Sequence, residues 1–111
     1  MGNLKYSYTN NCREISGFGG GYEEACRKMV ISGMLWFDEN PSANPKFHTY
    51  KNVYGIVSED NPKAESLTDT MAKSVGNNCT GAMMQAAVSH VLFAAKHGWE
   101  EYIKEMEKKE D

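Results

Sequence analysis

Long apolar runs are missing from this 111-residue chain: the longest, Met29 to Phe37, is broken by Ser32 and Gly33 and is too short to cross a bilayer. The first eight residues, Met1-Gly2-Asn3-Leu4-Lys5-Tyr6-Ser7-Tyr8, carry no apolar core of the kind a signal peptide needs. Tyr6 stands where a myristoylation start wants Ser or Thr. These absences predict a cytoplasmic protein with no membrane partner. Cysteine is scarce as well. Cys12, Cys26 and Cys79 are odd in number and far apart, which does not suit a small disulfide-stapled domain and favours reduced thiols. Without a secretory route, Asn78-Cys79-Thr80 is a chance match to the glycosylation triplet. A block of one charge sign is also lacking: 12 basic residues against 15 acidic ones leave a net charge of −3 and no basic stripe for nucleic acid. No internal repeat or low-complexity segment interrupts the chain.

What is present is apolar surface, 41% hydrophobic residues with seven Met and 11% aromatics, which argues against disorder. A chain of this size buries about two thirds of its extended surface, enough for one core. The sequence therefore predicts a single domain over 1–111, with 107–111 frayed by the run Glu-Lys-Lys-Glu-Asp.

Residues 4 to 17 read as a β-hairpin about Asn10-Asn11, with Tyr6 facing Ile15 and Tyr8 facing Arg13 on the apolar side. A further strand is expected around Asn52 to Val57, which is β-branched and aromatic with Gly55 as a bulge. Helical spacing takes over elsewhere. From Tyr22 to Glu39 a stripe of Tyr22, Cys26, Met29, Gly33, Trp36 and Phe37 marks one face, and Ile31, Met34 and Leu35 lie on the other. Such a two-sided helix is either sandwiched between layers or meets another subunit. Residues 40 to 50, with two Asn-Pro steps, form a loop. Asn61 and Pro62 open a short helix striped by Ala64, Leu67 and Met71 and closed by Gly76-Asn77-Asn78. A broadly apolar helix runs from about Thr80 to His97, with Gly98 as its C-cap, and a last helix restarts at Trp99 with Tyr102, Ile103 and Met106 inward. The fold class is accordingly α+β: a β-hairpin or three-stranded antiparallel sheet packed on about four helices.

Chemistry is harder to find. Gly17-Phe18-Gly19-Gly20-Gly21 before a helix could cradle an anion, but Tyr22 occupies the third glycine of a dinucleotide fingerprint and Glu23 and Glu24 would repel a phosphate. A small-ligand or nucleotide site would use these glycines and Tyr8, with Phe18 and Tyr22 as aromatic walls. His90 and His97 share a helix face but stand about 10 Å apart along the axis, too far for one metal, and His48 lies in the loop. No metal or cofactor is expected. Cys79, at a helix start, is the best-placed thiol, and Cys26 reads as a buried hydrophobe. Adjacent acids such as Glu23/Glu24, Asp38/Glu39 and Glu59/Asp60 read as solvated charge. No convergent catalytic set emerges. The favoured reading is a non-enzymatic interaction module that forms a homo-oligomer, or binds a protein partner, through Ile31, Met34 and Leu35.

Overall fold

Hydroxyl and glycine signals fix most of the helix ends. In the computed structural model, which describes Tyr6 and residues 23–108, four α-helices follow one another: α1 Glu23–Glu39, α2 Leu67–Lys73, α3 Gly81–His97 and α4 Trp99–Lys108. Thr80 caps α3, its side-chain oxygen accepting from the Met83 N–H at 3.1 Å, and satisfies a donor that a helix N-terminus otherwise leaves unpaired. Gly98 ends it at φ +101°, where a side chain would be strained, and the Gly98 carbonyl then accepts from the Tyr102 N–H to start α4. After α2 the chain turns through Gly76 and Asn77, both near φ +60°, and the Asn77 N–H reaches back to the Ala72 carbonyl at 2.8 Å.

The core lies where α1, α2 and α4 close around α3. Eight residues of α3 are buried, including Met84, Ala87, Val88, Val91 and Ala94, so it is the central helix its apolar breadth predicts. On α1, Cys26, Met29, Val30, Gly33, Met34, Trp36 and Phe37 are buried between α2 and α3. The two-sided helix is thus largely sandwiched. Gly33 allows the closest approach: a Cβ there would lie 2.7 Å and 3.0 Å from the two Val91 methyls and 3.2 Å from the Met71 sulfur.

The expected α+β class is overturned, because the described residues hold four helices and no strand or sheet. The segment read as a strand, Asn52 to Val57, is instead a 3-10 turn at Val53–Gly55, and the Asn52 side chain bends it by accepting from the Tyr54 N–H at 3.0 Å. Its apolar pattern serves packing: Ile56 is buried, Val53 is half-buried, and one backbone bond from Leu67 N–H to the Ile56 carbonyl stands in place of a ladder. The predicted hairpin, apart from Tyr6, lies outside the described residues. Tyr6 itself is buried against the helices, its hydroxyl donating to Asp38 of α1 at 2.5 Å and its ring edge-on to Trp99 of α4 at 5.1 Å.

The start of α2 is a second correction. Asn61 and Pro62 open only a turn, and the helix begins at Leu67 with Ser66 as its cap, accepting from the Asp69 N–H at 3.2 Å. Tertiary contacts hold the intervening backbone: the Trp36 indole N–H donates to the Glu65 carbonyl at 2.9 Å, and Leu67 N–H is committed to Ile56. Ala64 is left off the helical stripe.

Candidate functional site

Residues 40–66 connect α1 to α2 with little regular structure, yet polar side chains tie them down. Asn40, buried at the end of α1, donates to the Trp36 carbonyl at 2.8 Å and accepts from the Ser58 hydroxyl at 2.5 Å. The Ser58 oxygen in turn accepts from the Asn61 N–H at 2.9 Å. Asn44 donates to the Ala95 carbonyl near the end of α3, and the Tyr50 hydroxyl donates to Ala43. His48 contacts the Ser42 carbonyl through Nε2 at 2.9 Å and stacks obliquely on Tyr50. It is a structural residue of this loop. The segment also carries the large exposed apolar side chains found among the described residues, Phe47 at 72%, Val57 at 55% and Tyr54 at 50% of full exposure.

Clefts among the described residues flank the core between α1 and α2 and between α3 and α4. The first, about 500 Å³, runs between α1 and α2 and is lined by Lys28, Ile31, Ser32, Leu35, Trp36 and Glu39 from α1, with Thr70 from α2 and Ser74 just after it. Of the three residues predicted for an interface, Ile31 and Leu35 are half-buried on this cleft, whereas Met34 is turned into the core at 6% exposure. Lys28 and Glu39 stand exposed at its two ends, and the Ser32 hydroxyl donates across it to the Thr70 carbonyl at 3.3 Å.

The second, about 360 Å³, lies between α3 and α4 and was not foreseen. Ala86, Ser89, His90 and Phe93 on α3, and Tyr102, Glu105 and Met106 on α4, line it at helical spacings of three and four. That pair of facing stripes is the signal in the sequence, obscured there because His90 and Tyr102 read as core. They are core as well: Tyr102 is fully buried, and His90, 8% exposed, meets it edge-on at 5.7 Å. His97, exposed on the last turn of α3, stacks on Phe93 at 4.6 Å.

The predicted ligand turn, Gly17, Phe18, Gly19, Gly20, Gly21 and Tyr22, with Tyr8, lies outside the described residues, as does Cys12. Among the described residues no three His, Cys, Asp or Glu side chains come close enough to hold a metal. Cys26 is buried at the centre of the molecule, and that burial drives its thiol pKa well above the ordinary range, so it is a packing residue at neutral pH rather than a nucleophile. Cys79 is half-buried against the core ahead of the Thr80 cap. No described helix is long and apolar enough to cross a membrane. No family model, curated protein or solved structure matches the chain, so its function is read from these surfaces alone.

Proposed function

We propose that this protein is a non-catalytic interaction module that associates with a second copy of itself through the open face of α1. The free thiols of Cys26 and Cys79 are in keeping with a reducing, cytoplasmic setting. One observation carries the proposal: Lys28, Ile31, Ser32, Leu35 and Glu39 form a single stripe along α1 with its base ending at one tip and its acid at the other. Two such stripes laid antiparallel about a two-fold axis place Lys28 against the partner's Glu39 and Ser32 against the partner's Leu35. The two-fold repeats each contact, as a self-complementary interface requires. Burial of Ile31 and Leu35 drives the association. Each exposed ion pair adds at most about 1 kcal/mol, weakened by salt, and mainly fixes direction and register. A contact built on one helix face is at the small end of the interface range, so the dimer forms at high protein concentration.

Size-exclusion chromatography with light scattering over a concentration series tests the reading. Wild type should gain mass with concentration, and Ile31→Glu/Leu35→Glu should remain a monomer. Either Lys28→Glu or Glu39→Lys alone should weaken the dimer, while the two together restore it with reversed polarity. A wild type that stays monomeric throughout, or charge swaps that fail to compensate, would overturn it.

A further inference from the structure

Tyr6 is held between an oxidisable ring on one side and a proton acceptor on the other. Its ring lies edge-on to the Trp99 indole, with centroids 5.1 Å apart at 70°, so the two π systems touch. Its hydroxyl donates to Asp38 Oδ2 at 2.5 Å, the length of a charge-assisted bond from a hydroxyl to a carboxylate. Both neighbours reach solvent and Tyr6 does not: Trp99 is half-buried, Asp38 is exposed, and Tyr6 is 3% exposed. Trp99 is also the more open of the chain's two tryptophans, since Trp36 is buried.

Among aromatic side chains, indole and phenol give up an electron most readily. At neutral pH the phenol is the easier of the two to oxidise, provided that its proton leaves with the electron, because the phenol radical cation is a very strong acid. A base already bonded to the hydroxyl meets that condition. The Tyr6–Asp38 bond exists in the resting molecule, so the transfer asks nothing of the other contacts that Tyr6, Asp38 and Trp99 make.

We infer that Trp99, Tyr6 and Asp38 form a one-electron relay, which accepts an oxidising equivalent from a diffusing free radical at the surface and holds it on the buried phenol. The free radical takes one electron from the Trp99 indole and is itself reduced to an anion. Tyr6 then returns an electron to the indole radical cation as its O–H bond breaks, and the proton passes to Asp38 Oδ2. Trp99 is restored, Tyr6 is left as a neutral phenoxyl radical, and Asp38 as a carboxylic acid. The positive charge of the oxidised indole and the negative charge of the carboxylate cancel in this step. Tyr102, whose ring centroid lies 5.0 Å from that of Trp99, is the competing electron donor.

Pulse radiolysis of the full chain in azide solution supplies the oxidant as azidyl radical. The broad visible absorption of the tryptophan radical should decay as the narrow violet band of a tyrosyl radical rises. A first-order rate that stays the same over a series of protein concentrations marks transfer within one molecule. Asp38→Asn keeps the shape of an exposed side chain but offers an amide that cannot take the proton. It should slow the transfer about tenfold, the difference between a charge-assisted and a neutral hydrogen bond expressed as a rate. Tyr6→Phe should leave the tryptophan radical long-lived, whereas Tyr102→Phe should transfer at the wild-type rate. Because Asp38 is exposed, Asp38→Asn gives the answer without disturbing the packing around Tyr6. A rate that scales with protein concentration, an Asp38→Asn rate equal to wild type, or transfer that survives in Tyr6→Phe would each overturn the inference.

Discussion

Gly33 shows how one missing side chain sets the spacing of two helices. A methyl group there would press on both branches of Val91, a stiff β-branched residue that cannot swing aside as a longer chain could. Alanine favours a helix interior by about 1 kcal/mol over glycine, while overpacking a core costs about 1–3 kcal/mol, so the steric term wins. Gly33→Ala should therefore lower stability by about 1 kcal/mol in urea denaturation. A variant as stable as wild type would mean that α1 can back away from α3 freely. The sequence placed Gly33 on the apolar stripe but could not reveal its partner, because helical spacing specifies a face and not what covers it.

Tyr50 makes a second prediction at this scale. Burial first, and the nearby charge of Glu59 second, raise its pKa above the ordinary tyrosine range, and only its protonated form can donate to Ala43. The unfolded tyrosine loses its proton first as the solution is made alkaline. Its contribution is thus whole below about pH 10 and is lost as pH climbs through the raised folded value. Denaturation midpoints from pH 8 to 11 should fall more steeply in wild type than in Tyr50→Phe; parallel curves would remove Tyr50 from the alkaline transition.

At the scale of elements, legibility followed the kind of bond that holds each one. α1, α3 and α4 were readable within a residue or so of their starts because apolar periodicity and the Thr80 and Gly98 signals are local. The stretch from Asn52 to Ser66 was not, since tertiary hydrogen bonds from Trp36, Asn40 and Leu67 decide it and no spacing rule encodes them. Val53 and Ile56 have strand-like chemistry, but without a neighbouring strand their preference is spent on core contact. Neither cleft could be read as a cleft from single-helix patterns; of the three residues expected on the second face of α1, Ile31 and Leu35 reach the surface and Met34 does not. Asn40 ties this segment to α1. Replacing it with alanine strips the Ser58 hydroxyl of its acceptor and one donor from the Trp36 carbonyl, a loss of about 1–3 kcal/mol for a buried site. Asn40→Ala should speed limited proteolysis within 41–65 while leaving helical circular dichroism at low temperature intact. Unchanged cleavage would show that the remaining bonds suffice.

For the whole molecule, the surplus of apolar residues in the sequence is mostly absorbed by the way α1 is enclosed. The radius of gyration, 13.2 Å, is that of a compact globule of this length, for which about 13 Å is expected. Among the described residues, open apolar surface includes the α1–α2 cleft, the α3–α4 cleft and the side chains of Phe47, Tyr54 and Val57.

The route by which α1 meets α3 also governs how quickly the chain can fold. Four helices in sequence would suggest a bundle that assembles from neighbours, with rapid kinetics. Here the first helix packs across a long, hydrogen-bonded connection onto the third, and the Asn44–Ala95 tie joins residues 51 positions apart. Closing that loop costs chain entropy before Val91 can meet Gly33. Docking of α1 on α3 should therefore be a late and slow event, so that refolding followed by stopped-flow is expected to be slower than in a helical bundle built from sequence neighbours.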